Sequence, residues 1–215
     1  MCFSAESSLT AYILGSIASL YLLINGDKYD KHIGLFSLTF VQMQLAEFFM
    51  WIDQYCNKNI NHYATIFVKY ILILQPLSII LGAILFKTTN LPNYLLYLFL
   101  LIFIIYLIDY SIRIANNKRK LCSKSINRFG HLEWDFIKYK YSKLFFTIYL
   151  IFMFLIWPFV KNIKGIFVFI FGIVSLILNK FNFAQWESRW CFIAVLLPFL
   201  IIIYNNINKI KKFIY

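Results

Sequence analysis

Three side chains in one stretch set the first chemical possibility. In Gln44-Leu45-Ala46-Glu47-Phe48-Phe49-Met50-Trp51, residues Gln44, Glu47 and Trp51 recur at i, i+3 and i+7. A helix therefore presents an amide, a carboxylate and an indole on one face. A carboxylate held there in apolar surroundings can carry a proton, contact a ligand or bind a metal. Lys69, in the next apolar run, is the natural counter-charge, expected within about 8 Å of Glu47. A Glu47–Lys69 pair that only fixes helix register is the competing reading. In Gln75-Pro76, the proline removes a donor and kinks a helix, and Gln75 either satisfies the freed carbonyl or lines the same pocket.

A second pattern is Gly130-His131-Leu132-Glu133-Trp134-Asp135, where His131, Glu133 and Asp135 alternate as on one face of an extended segment. A histidine with two carboxylates suits a hard or borderline metal. A solvated loop with Trp134 at the lipid headgroups accounts for the same residues. Cys2, Cys56, Cys122 and Cys191 allow three disulfide pairings. An oxidising compartment favours bridges, and a reducing one favours thiols or a metal. There is no paired C-x-x-C, P-loop, G-x-G-x-x-G, H-E-x-x-H or G-x-S-x-G. No cofactor is specified, and whether the chain is an enzyme stays open.

The elements that must position these residues follow from composition. The chain is 61% hydrophobic and 14% charged, whereas soluble domains average about 45–50% and about 25%. The bilayer is therefore the expected solvent. The net charge of +12 does not indicate nucleic acid, because the basic residues fall in short gaps between apolar runs, where they meet lipid phosphates. Seven runs, 9–25, 33–53, 63–86, 93–115, 144–160, 165–183 and 190–205, are long enough to span. Backbone facing hydrocarbon must be helical, which predicts an all-α bundle of seven transmembrane helices filling 1–215 as a single domain. Residues 116–143 are its one sizeable polar loop. The fifth and sixth runs are so close that a re-entrant hairpin is their alternative.

Alternation of seven spans gathers chemistry on the N-terminal side: all four cysteines, His62, His131, Asp53, Glu133, Asp135 and Glu187. Glu47 and Lys69 lie at matched depth, roughly 9 Å below that face. The opposite side offers only Asp27, Asp30 and His32 besides lysines. Basic residues give conflicting orientations. About twelve lie on the N-terminal side against about eight opposite, but most of the twelve fall between Arg113 and Lys143. The first helix, with Lys28 and Lys31 after it, favours an external N-terminus.

The opening Met1-Cys2-Phe3-Ser4-Ala5 resembles the Met-Cys-Phe/Trp-Ser-Ala start of an uncharacterised family of multi-pass membrane proteins from bacteria and giant DNA viruses. Residues 44–51 resemble that family's Gln-Leu-x-Glu-Phe-x-x-Trp segment. Leu74-Gln75-Pro76, Gly130-His131-Leu132-Glu133-Trp134 and Trp190-Cys191 resemble its later blocks, in the same order. The resemblance implies a multi-pass fold in a host or virion membrane and no particular activity. Some bacterial members carry a histidine shortly before Gln-Pro; the positions here are apolar, so that role does not transfer.

These readings converge on a polar pocket opening to the N-terminal side, lined by Gln44, Glu47, Trp51, Lys69 and Gln75. Cys2, His131, Glu133, Trp134, Trp190 and Cys191 would cap it, held by a Cys2–Cys191 disulfide or a shared metal. The absence of metal-type cysteine spacing favours the disulfide. The ligand would be a small molecule, a metal or a proton. The alternatives are a structural or assembly protein of a viral or internal membrane, and a small transporter, against which the lack of an internal repeat counts. The expected partners are the lipid bilayer and a second copy of the chain.

Overall fold

The computed structural model describes residues 4–116, 119–125, 132–135, 142–178 and 193–214. It is an all-α bundle: α1 (Ala5–Asn25), α2 (Lys28–Ile52), α3 (Ile60–Phe86), α4 (Asn93–Ala115), α5 (Ser142–Leu155), α6 (Ile163–Leu178) and α7 (Leu197–Ile214). A two-residue antiparallel ribbon, β1 (Lys124–Ser125) with β2 (Leu132–Glu133), lies between α4 and α5.

Local chemistry sets the helix starts, several residues ahead of the apolar runs. Ser4 and Ser7 form a reciprocal capping box at α1, each side chain accepting the other's amide at 3.2 Å. Asp27 accepts the Tyr29 and Asp30 amides at 2.8 Å, and Asp30 returns a bond to the Asp27 amide at 3.2 Å. These boxes satisfy amides that the first helical turn leaves unpaired. At α3 the N-cap Asn59 is left-handed (φ 60°) and supplies no side-chain bond. Asp53, from the end of α2, instead accepts the Asn57, Lys58 and Asn61 amides.

Three boundaries differ from the sequence expectation. The fifth span does not reach residue 160: α5 stops at Leu155, and Trp157-Pro158-Phe159 forms a 3-10 turn. Pro158 cannot donate the helical hydrogen bond. This turn separates α5 and α6 into distinct helices of 14 and 16 residues, roughly 21 and 24 Å long. The last helix was expected at 190–205. In the structure the chain turns at Val195–Leu196, and α7 starts just ahead of Pro198, a residue suited to a first turn. α7 then continues through the basic tail.

Helices α1 to α3 pack in sequence order, α4 and α5 lie on α3, and α7 packs against α1, α2 and α6. Gly34 allows the close α1–α2 approach: a Cβ there would meet Ser19 O at 2.8 Å and Leu23 N at 3.0 Å. The ends of the helices gather into two polar caps. One cap joins 53–62 to 119–125 and 132–135. The other joins the α3–α4 and α5–α6 turns through a Thr89–Val160 bridge and bonds Asn90 N→Phe159 O (2.9 Å) and Lys161 N→Thr88 O (2.8 Å). Asn205 of α7 reaches Asp30 at this second end.

Four helices, α1, α2, α3 and α4 as far as Ile112, are long and apolar enough to cross a membrane. Their outward faces are apolar: Ile24 is 72% exposed, Ile17 61%, Leu85 66% and Ile105 58%.

Candidate functional site

Several polar side chains are buried inside the bundle, of which Gln44 and Glu47 are in hydrogen-bond contact. Gln44, Glu47 and Gln75 are fully buried and Lys69 is nearly so. Gln44 Nε2 donates to Glu47 Oε2 at 3.3 Å, as the i, i+3 spacing on α2 requires. Asp135 is a carboxylate whose charge acts on Lys69. Helix α3 runs through Pro76. Gln75 does not turn back on its own helix; its Oε1 accepts from Tyr149 of α5. Ser78 Oγ, bonded to the Gln75 carbonyl at 2.7 Å, meets Thr39 of α2 at 3.0 Å. Tyr149 was not singled out from sequence, where one tyrosine among fifteen carries no pattern.

Gln75 has a further property. Its Nε2 is buried and meets no acceptor among the described residues; the same holds for Trp51 Nε1, on the half-buried indole. Exchanging the amide oxygen and nitrogen of Gln75 does not remove the problem, because Tyr149 engages only one of the two atoms.

The cap at the N-terminal end is a folded structure. Asn61 Nδ2 donates to Ser123 O (2.7 Å) and Met50 O (3.1 Å), and Ser123 N donates to Asn61 Oδ1 (2.8 Å). Thr65 bonds the Ser123 hydroxyl at 2.8 Å. Leu121 N donates to His62 Nδ1 (2.9 Å) and Ser125 N to Gln54 Oε1 (3.0 Å). A Cys56–Cys122 disulfide, with Cα atoms 5.9 Å apart, crosses the same junction. Burial pushes the Asp53 carboxyl up, but its bonds from the Asn61, Lys58, Asn57 and Ile60 amides prevail and hold it below the usual carboxylate range.

The reading of Trp134 as a headgroup residue in a solvated loop is overturned, since Trp134 is only 1% exposed. The ribbon docks the segment onto the α2–α3 end, and the Asp135 amide donates to Ser123 Oγ at 3.2 Å. Asp135 itself accepts from Arg119 (3.2 Å) and the Cys122 amide (3.0 Å). Glu133, on β2 opposite Lys124, is half-buried. No three His, Cys, Asp or Glu side chains gather in metal-binding fashion among the described residues. Cys2, His131, Trp190 and Cys191 lie outside the described residues, and the expected capping by Cys2, His131 and Cys191 falls on them.

Sequence reasoning missed the cluster at the opposite end. Buried Lys164 donates to Asp30 (2.6 Å) and Asp27 (3.0 Å), and Asn205 donates to the second Asp30 oxygen at 2.9 Å. Burial raises the Asp27 carboxyl, but the Asp30 amide, Lys164 and the Tyr29 amide outweigh it and hold Asp27 below its ordinary value. Beside this cluster, buried His32 bonds Thr88 Oγ1 (2.8 Å) and the Ile79 carbonyl (2.9 Å) and stacks on Trp157. A carbonyl can only accept, so Nε2 carries the proton. The available signal was the Asp27-x-x-Asp30 capping box, which pulls Asp30 and His32 from a loop into α2.

One cavity among the described residues is apolar and about 20 Å³, room for about one water. Phe36, Phe40, Trp157 and Phe171 are among its lining residues. Comparison with family models, with curated proteins and with solved structures finds no match for this chain.

Proposed function

We propose that the chain is a multi-pass integral membrane protein whose buried polar side chains bind a small polar ligand, a metal or a proton from the disulfide-capped end. Membrane residence is supported by the large apolar side chains that α1 to α4 turn outward, which no aqueous surface of this extent would tolerate. The reading includes seven passes, membership of the family that opens Met-Cys-Phe/Trp-Ser-Ala, and a host or virion membrane. Resistance of the chain to alkaline carbonate extraction checks the membrane assignment.

The observation that carries the site is Gln75. A buried amide with one unsatisfied polar atom costs about 1–3 kcal/mol and calls for a partner. A ligand entering beside Gln44, Glu47 and Lys69 would supply it. Access from the disulfide-capped end is favoured because His32, Thr88, Trp157 and the Asp30–Lys164 pair fill the other end. Native mass spectrometry and elemental analysis of purified protein test this. A bound species should be present, and Glu47→Gln and Gln75→Leu should lose it while staying folded. Wild type carrying nothing, with Gln75→Leu at least as stable, refutes the site.

A structural or assembly role is the second reading. It is favoured by the interhelical bonds Thr39–Ser78, Tyr149–Gln75 and Asp30–Lys164, which tie α2, α3, α5 and α6 whether or not a ligand binds.

A further inference from the structure

Lysines collect at the end opposite the disulfide. Lys28, Lys87 and Lys161 are exposed and Lys31 is half-buried. The carboxylates of that end are already engaged: Asp30 and Asp27 both bond Lys164, and Asn205 takes the other Asp30 oxygen. No described carboxylate pairs with Lys28, Lys31, Lys87 or Lys161. Lys28 lies 5.0 Å over the Tyr29 ring, a contact that leaves its charge in place. In sequence, Lys209, Lys211 and Lys212 follow Asn205, which reaches Asp30 at this end. The lysines border exposed hydrocarbon, with Ile24, Leu85 and Ile163 at 72%, 66% and 58% exposure. That border between charge and apolar surface is where headgroups meet acyl chains.

The other end also exposes lysines, Lys58, Lys120 and Lys124, but its chemistry differs. Its Arg119 is paired with Asp135, and the Cys56–Cys122 bridge requires an oxidising compartment to form and persist. The sequence count of basic residues left the orientation in conflict. Arg119, Lys120 and Lys124 of that stretch belong to the cap that the disulfide closes, and the opposite Lys28, Lys87 and Lys161 lie in or beside short turns; the disulfide, not the count, favours the orientation.

We propose that Lys28, Lys87 and Lys161 form a docking surface for anionic phospholipid headgroups of the cytosolic leaflet, with the Cys56–Cys122 cap across the membrane in the oxidising compartment. This rests on the membrane-spanning reading. Each lysine at an anionic surface strengthens attraction about fivefold, so three together contribute on the order of a hundredfold.

Two measurements on the full chain test it. In mixed micelles, phosphatidylserine should bind and raise the melting temperature more than phosphatidylcholine, and the gain should shrink with salt. The triple variant Lys28→Gln, Lys87→Gln, Lys161→Gln should bind phosphatidylserine on the order of a hundredfold more weakly. The control triple Lys58→Gln, Lys120→Gln, Lys124→Gln, exposed residues of the disulfide end, should bind it as wild type does. Equal binding by both triples overturns the docking surface. In intact cells, a membrane-impermeant amine-acylating reagent should modify Lys58, Lys120 and Lys124, and reach Lys28, Lys87 and Lys161 only after permeabilisation. The reverse pattern overturns the orientation while leaving the spanning reading intact. Modification of all six in intact cells, with release by alkaline carbonate, overturns the spanning reading itself.

Discussion

Asn61 and Ser123, on opposite sides of α4 in the sequence, exchange two hydrogen bonds: Asn61 Nδ2 donates to the Ser123 carbonyl at 2.7 Å, and the Ser123 amide donates to Asn61 Oδ1 at 2.8 Å. One side-chain amide thus satisfies both backbone groups of a buried residue in the cap. Asn61→Ala would orphan them, at about 1–3 kcal/mol per buried group. The expected result is a lower melting temperature and faster proteolysis within residues 116–141, with α1 and α2 still protected. Unchanged proteolysis would show that the disulfide alone seats the cap.

Non-reducing peptide mapping should recover Cys56 linked to Cys122. Cys56→Ser should cost about 2–4 kcal/mol. Of the three pairings open to four cysteines, the one containing Cys56–Cys122 leaves Cys2 with Cys191. We therefore expect a second linked pair of peptides from Cys2 and Cys191. Free, alkylatable Cys2 in the unreduced protein would exclude it.

The Asp30–Lys164 pair joins α2 to α6 at 2.6 Å with both groups buried. Lys164→Met leaves Asp30 a buried carboxylate supported by Asn205 and the Asp27 amide. Breaking such a pair from one side costs about 3–5 kcal/mol, whereas replacing both members is often neutral. The double variant Asp30→Asn, Lys164→Met should recover much of the loss in a thermal double-mutant cycle. Additive losses would mean that the pair is not coupled.

The apolar centres of the helices were legible in the sequence because lack of charge over some twenty residues has few other meanings. Helix ends were less legible. Ser4 and Asp27 begin α1 and α2 with polar caps, which a hydropathy reading assigns to loops. The in-register pattern of Gln44 and Glu47 was legible because it is local to α2. Their counterparts were not: Gln75 meets Tyr149 across 74 positions, and Asp30 meets Lys164 across 134 and Asn205 across 175. No spacing rule reaches so far. The headgroup alternative for Trp134 fails for the same reason, since its burial depends on a ribbon docking against α2 and α3.

Asp53 makes the cap sensitive to acid. Burial raises its carboxyl, but the Asn61, Lys58, Asn57 and Ile60 amides lower it further, so the folded form protonates less readily than the unfolded chain. For a depressed carboxyl, the stabilisation is full above the unfolded value of about 4 and is lost as pH falls through the lower folded value. Between pH 7 and about 5 the contribution should be constant, and below that the wild type should lose stability. Asp53→Asn keeps an oxygen that can accept amide bonds but has no charge to lose. Its melting temperature should be lower at neutral pH and fall less steeply on acidification, so that the two curves approach each other. Parallel curves from pH 7 to pH 3 would show that Asp53 does not account for acid sensitivity.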